Sequence, residues 1–249
     1  MDLGQYFVKD YTGPGFVLFG PAHLGTLLVV ALVIFGLTRF KGSSEATREK
    51  ARWTLAILIW SAEGAWHLWN LAIGTWTIQT MLPLHMCSVL IWLTGFMLIY
   101  KNYSIYEFVY FLGIGGALQA LLTPDVGIYG FPHFRYLQTF MSHGLLVGAG
   151  VYMTVVEGFR PTWKSIVRIF AIANIYMLVV FFINLAIGSN YLMVNGKPAM
   201  ASIIDLLPAW PWYIPWLEVI ALATCLLLYI PFIIMDWRTR PLAAGNAQK

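Results

Sequence analysis

The stretch Ile166–Ile187, IVRIFAIANIYMLVVFFINLAI, carries one charge, Arg168, in 22 consecutive residues. As an α-helix rising 1.5 Å per residue it extends about 33 Å, roughly the hydrocarbon thickness of a bilayer. A helix that is apolar on every face belongs in a large core or in lipid. Six further stretches read the same way: Leu24–Phe40, Trp53–Ile73, Leu82–Tyr100, Ile105–Leu122, Tyr136–Val156 and Trp212–Met235. Between them lie short connections rich in Gly, Pro, Asn and Ser, such as Lys41–Ser44, Lys101–Ser104, Thr123–Asp125 and Gly158–Pro161. The pattern predicts an all-α polytopic membrane helix bundle of about seven transmembrane helices, with residues 1–249 forming a single domain.

Composition points the same way. Hydrophobic residues make up 59% of the chain, charged residues 10%, and the mean hydropathy is +0.72. No soluble core of 249 residues hides that much apolar surface. Asp2, Lys9 and Asp10 interrupt the amino terminus, which does not read as a signal peptide, so the chain is expected to be mature as written. The two cysteines, Cys87 and Cys225, lie in apolar stretches and do not suggest a disulfide scaffold. A net charge of +4 is too small and too dispersed for a nucleic-acid partner. Twelve of the 15 Lys and Arg residues fall on one side of a seven-span topology. Cytoplasmic loops are enriched in such residues, so the amino terminus is expected outside and the carboxyl terminus in the cytoplasm. The plasma membrane of a bacterium is the expected setting.

Ionisable side chains inside a span cost about 2.5–3.5 kcal/mol or more, which makes them functional candidates. The polar candidates are His23, Glu63, His67, His85, Cys87, Gln119, His143, Asn174, Asn184 and Glu218. Most fall in the external half, with Cys87, His67 and Glu218 about 8–9 Å and His143 about 12 Å below its boundary. The cytoplasmic halves read as nearly pure hydrocarbon. This asymmetry predicts one polar cavity opening outward, with interhelical hydrogen bonding as the plainer alternative. Glu63 and His67, four apart, share a helix face, where they could form a structural pair, support catalysis or hold a metal. His85 and Cys87, two apart, point about 200° apart on a helix. Cys87 must then find a base elsewhere, and His143 matches its depth, although a buried cysteine is usually a small packing residue. The long connection Gly188–Pro211 has room for a short interfacial helix near Ser202-Ile-Ile-Asp-Leu-Leu, and Gly188–Tyr213 is expected to pack over the cavity mouth. Its aromatic end, Trp210 to Trp216, reads as a membrane-interface anchor or a lid.

An ordered set of motifs spans nearly the whole chain: Pro21-Ala-His23, Glu63-x-x-x-His67, Leu82-Pro-Leu-His85-Met-Cys87-Ser88, Gly115-Gly-Ala-x-Gln119-Ala-Leu-Leu-Thr-Pro124, Phe134-Arg135, Ser142-His143, Asn184, Gly188-Ser-Asn190-Tyr191, Lys197-Pro198 and Trp210-Pro-Trp-Tyr213. The set resembles the YwaF family of small bacterial membrane proteins, which is similar in turn to the eukaryotic transmembrane protein 164 acyltransferases. That likeness implies acyl transfer between phospholipids, with a cysteine that carries the acyl group and a histidine that activates it. Those roles map onto Cys87 and His143. Glu63, His67, His85, Ser88, Gln119, Asn184, Asn190, Tyr191 and Glu218 are then candidates for support or substrate binding. No metal and no cofactor is expected, and the expected partner is membrane phospholipid. Lipid hydrolysis is the near variant. A small-solute or lipid transporter with a 3+1+3 helix arrangement and a non-catalytic membrane sensor are the competing functions.

Overall fold

The structure, a computed structural model, describes residues 3–197 and 203–239. Seven helices run through the described residues: α1 Pro21–Thr38, α2 Glu45–Ala72, α3 Met86–Tyr100, α4 Tyr103–Leu122, α5 Phe134–Val155, α6 Trp163–Ile187 and α7 Tyr213–Thr239. The assembly is an all-helical membrane bundle, and each predicted span has its helix. Four helices, α1, α4, α6 and α7, are long and apolar enough to cross a membrane. The third, α3, is apolar but has 15 residues. Polar side chains on α2 and α5 face inward, including buried Glu63, Asn70, Gln138, Thr139 and Ser142.

Two boundaries differ from expectation in ways that matter. Helix α2 begins eight residues before the predicted span, because Ser44 caps its first turn by accepting from the Thr47 amide at 3.3 Å. Helix α3 begins at Met86, four residues later than predicted. Residues Thr77–Leu84 form turns instead, with Pro83 ahead of the helix and the Leu82 amide donating to the Tyr191 hydroxyl at 2.8 Å.

Helix α5 is the hub of the bundle and packs against α1, α2, α3 and α4. Small residues let it approach its neighbours closely. A methyl group added at Gly144 or Gly148 would stand 3.2 or 3.1 Å from Val30 or Leu37 of α1, and one at Gly150 would stand 2.8 Å from Ile114 of α4. In contrast α6 touches the bundle sparsely, reaching α4, α7 and the loop that follows it. Helix α4 passes through a π turn at Val109–Gly113, just before the Gly115-Gly116 pair. Such turns re-aim side chains within a helix and recur at functional positions.

The two ends of the bundle can be called the His23 face and the Arg52 face. The Arg52 half is not the pure hydrocarbon expected. Arg52 contacts Glu157 at 2.5 Å and Glu45 at 3.2 Å, and Lys101 reaches the same two carboxylates at 2.7 and 3.2 Å. Glu107, a buried residue of the predicted fourth span that does not figure among the polar candidates, accepts from Ser165 at 2.5 Å and Arg168 at 2.6 Å. These pairs join α2, α3, α4, α6 and the 156–162 turn. Buried charges persist in this half because every carboxylate has a cationic partner.

Candidate functional site around Cys87

Cys87 is the second residue of α3 and half-buried. Its sulfur lies against Gly116 of α4, where a methyl group would stand 3.5 Å from Sγ. The first turn of α3 is left open. The first intrahelical bond runs from Val89 N to His85 O at 3.0 Å, and no side chain caps the turn. Among the described residues, the N–H groups of Met86, Cys87 and Ser88 find no acceptor. The first turns of α2, α4, α5 and α6 are capped by Ser44, Asn102, His133 and Thr162, whereas α1, like α3, begins without a side-chain cap. Free amides at a helix start attract negative charge, and the helix dipole adds to them. This donor set escaped the sequence reading, which put Cys87 five residues inside a helix. The Pro83 four residues before Cys87 was the one signal of a later start.

The hydrogen-bond partners of the five histidines assign their protons, since an N–H can only donate and a carbonyl can only accept. Nδ1 of His23 accepts from Phe19 N at 2.9 Å, and its Nε2 donates to Leu121 O at 2.9 Å. Nδ1 of His133 accepts from Arg135 N at 3.1 Å while Nε2 donates to Val8 O at 3.0 Å. Both rings are fully used as structural ties. Nδ1 of His67 accepts from the Trp76 indole at 3.1 Å, which puts its proton on Nε2, 3.7 Å from Glu63. Nδ1 of His85 accepts from Leu192 N at 3.3 Å, again leaving the proton on Nε2. His143 is reversed. Its Nδ1 donates to Thr139 O at 2.8 Å, so Nε2 carries the lone pair, and no donor occupies it among the described residues. Of the five, His143 alone presents a free basic nitrogen.

Charge proximity ties the centre together. Glu63 lies within electrostatic range of Cys87 and of Arg135, and Arg135 within range of His143. Arg135 itself stacks 4.1 Å over the Trp66 ring and donates to Gln138 at 3.1 Å and Asp125 O at 3.0 Å. Glu63 and His67 pair on α2, and the charge of Glu63 reaches Cys87 of α3 and Arg135 of α5. No hydrogen bond joins Cys87 Sγ to His143.

The other candidates separate from this group. Asn184 is buried with both amide ends consumed. Nδ2 donates to Tyr191 O at 2.9 Å and Asn195 at 2.7 Å, and Oδ1 accepts from Ser189 at 2.6 Å and Tyr191 N at 2.9 Å. Asn190 is likewise spent, on Gly196 O at 2.8 Å and Asn195 N at 3.1 Å. Tyr191 donates to Ile78 O and accepts from Leu82 N, both at 2.8 Å. These residues stitch the 188–197 segment onto the chain leading into α3, and His85 holds the same segment through Leu192. His85 precedes the helix, so helical angles do not relate it to Cys87. Gln119 is exposed, and Ser88 is half-buried with no side-chain hydrogen bond among the described residues. Glu218 accepts from Asn174 at 3.2 Å across α6 and α7 and lines a cavity.

Contrary to the expectation of one polar cavity, the polar candidates do not converge, among the described residues, on either cavity beside α6. The polar groups of the His23 half are mostly bound to loop carbonyls and amides, and the two cavities flanking α3 and α6 are apolar, apart from Glu218 and a few edge hydroxyls. The long connection does pack on the bundle where it is described: Trp210 donates to Val194 O at 2.8 Å, the Tyr213 hydroxyl donates to Met193 O, and Ile203–Leu206 forms a 3-10 turn. Pro198 and Ser202 lie outside the described residues.

No curated protein and no solved structure matches the chain. The profile of the TMEM164 family matches residues 18–229, from just before α1 into α7. The chain is an integral membrane protein and belongs to the TMEM164 family.

Proposed function

We propose that the chain is an intramembrane phospholipid acyltransferase, or an acyl hydrolase where water replaces the acceptor, working through a thioester on Cys87 with His143 as its base. One observation carries this: His143 alone of the histidines has Nδ1 fixed as donor and Nε2 left as a lone pair. The position of Cys87 at an uncapped helix start supports it, because such amides favour a thiolate and can hold an oxyanion.

The steps follow from these groups. Nε2 of His143 takes the thiol proton as Sγ bonds to the ester carbonyl carbon, and the carbonyl electron pair moves onto oxygen, facing the free amides of Met86, Cys87 and Ser88. The carbonyl then re-forms and the ester C–O bond breaks. The leaving alkoxide takes the proton from the imidazolium and departs as a lysolipid. In the second half, a lysolipid hydroxyl or water attacks the thioester, gives its proton to Nε2, and the sulfur leaves and regains that proton. For these steps the sulfur and imidazole must come closer when the ester binds, as catalytic hydrogen bonds tighten in the substrate complex.

The excess of Lys and Arg on the Arg52 face supports a cytoplasmic Arg52 face and an external His23 face. The thiol then stands at the ester level of the outer leaflet, in the plasma membrane of a bacterium. Apolar cavities suit a hydrocarbon chain and not a polar solute, which disfavours transport of a small polar solute. The test is purified protein in vesicles containing phospholipid and lysophospholipid. Wild type should form an acyl adduct on Cys87 that neutral hydroxylamine releases, and Cys87→Ala should form none. Acyl exchange at the wild-type rate in Cys87→Ala would end this reading.

A further inference from the structure

Two apolar cavities meet along α6. One, of about 240 Å³, lies between α3, the start of α4 and α6, lined by Val89, Leu93, Phe108 and Ile172 among others. The second, of about 250 Å³, lies between α6, α7 and the 192–194 segment, and includes Leu112 and Met193. Met86 and Ala173 line both, so the two are chambers of one groove with a waist at those residues. Two polar ties hold α6 to the elements beside the groove. The Tyr176 hydroxyl bonds Leu84 O at 2.8 Å near the His23 face, and Glu107 binds Ser165 and Arg168 near the Arg52 face.

The groove passes one residue from Cys87, which itself lines neither chamber. Met86 is the chain neighbour of Cys87, and Leu112 lies about one helical turn from Gly116, the residue the sulfur rests against. It also reaches the lipid-facing surface, because Ile172 is 45% exposed. Each chamber alone falls short of the 300–1,000 Å³ of a typical small-molecule site, and together they reach it. That space fits one hydrocarbon chain and not a whole diacyl lipid.

We propose that this groove holds the fatty-acyl chain that Cys87 carries, running from the thiol past the Met86–Ala173 waist toward Leu93 and Phe108, so that the waist sets which chain lengths are transferred. The proposal rests on the Cys87 reading for its chemistry, but occupancy of the groove can be tested without catalysis. A long-chain phospholipid bearing a photoreactive diazirine near the end of its acyl chain, irradiated in vesicles with Cys87→Ala protein, should label the segments Val89–Leu93 and Ile172–Tyr176. Ala173→Phe in the same background should reduce that labelling about tenfold, the scale on which a pocket discriminates apolar groups by size. In the active protein, Ala173→Phe and, independently, Leu93→Trp should each lower palmitoyl relative to lauroyl transfer by about tenfold or more. Labelling spread evenly over lipid-facing residues such as Leu28, Val167 and Leu178, unchanged by Ala173→Phe, would overturn the groove. Absence of Cys87-dependent transfer in wild type, with labelling of the groove intact, would instead overturn the chemistry and leave the chain site standing.

Discussion

Nδ1 of His143 donates to the carbonyl oxygen of Thr139, one turn back on α5, at 2.8 Å. That bond removes one ring nitrogen from chemistry and commits the other to accept. His143→Gln should therefore be as damaging as His143→Ala, because an amide in the same place cannot take and return a proton. Acyl transfer in each should fall by about 10²–10⁴-fold, the usual worth of a general base. Thioester formation followed by mass spectrometry checks this; a glutamine variant within a few-fold of wild type would exclude proton transfer by this ring.

Gly116 leaves room for the sulfur. A methyl group there would make ordinary contact, 3.5 Å from Sγ, so Gly116→Ala should keep a large part of the activity. Gly116→Val places further carbon atoms in space that Cys87 and an ester must share, and should lower transfer well below Gly116→Ala with little change in the melting temperature. Equal activities for the two variants would show that the face of α4 does not border the reacting atoms.

Asn184 matters for structure. Removing its amide strands the Tyr191 N–H and carbonyl in a buried place, at about 1–3 kcal/mol for each group left unpaired. Asn184→Ala should lower the melting temperature in detergent and open the 188–197 segment to proteolysis. Because the same segment contacts His85 and lines the groove, transfer should fall as well, and restoring the segment by lowering temperature should restore part of it.

The ion pair between Arg52 and Glu157 is nearly dry, with side-chain exposures of 6% and 2%. Glu157→Ala leaves Arg52 short of its main partner and should cost about 3–5 kcal/mol. Replacing both residues by apolar ones of similar size, Arg52→Met with Glu157→Leu, should recover part of that loss, because Arg52 goes with its main partner while Lys101 and Glu45 keep each other. Thermal unfolding of the three variants decides the point.

His133 supplies a pH dependence. Burial pushes its pKa below the ordinary histidine value, its bond to Val8 O opposing the shift in part. A group whose folded pKa is depressed contributes stability that is present above its unfolded pKa, about 6.5, and is lost as pH falls through that value toward the folded one. The physical event is protonation of Nδ1, which then no longer accepts from the Arg135 amide at the start of α5. The melting temperature should decline between about pH 7 and 5, and His133→Asn, which keeps an acceptor at the cap, should flatten that decline.

The sequence by itself determined the class of fold and the helix sequence. Runs such as Ile166–Ile187 admit a single solvent, because about 20 apolar residues in a row have nowhere else to go. It also singled out Cys87 and His143, through their motifs and matching depth. It overlooked Glu107, because a lone carboxylate in an apolar run reveals its partners Ser165 and Arg168 only after α4 and α6 are packed together. Tertiary structure alone decided what the polar residues do. Asn184, Asn190 and Tyr191 share the depth and chemistry of active-site groups, yet their hydrogen bonds close on a loop whose path no periodicity specifies. The proton on each imidazole was equally hidden, since it depends on whether a ring nitrogen meets an N–H or a carbonyl from a distant segment. The start of α3 was hidden too, and with it the free amides beside Cys87. Hydropathy records where a chain meets lipid, but helix ends and ring tautomers are set by individual hydrogen bonds, and those exist only when the bundle has closed.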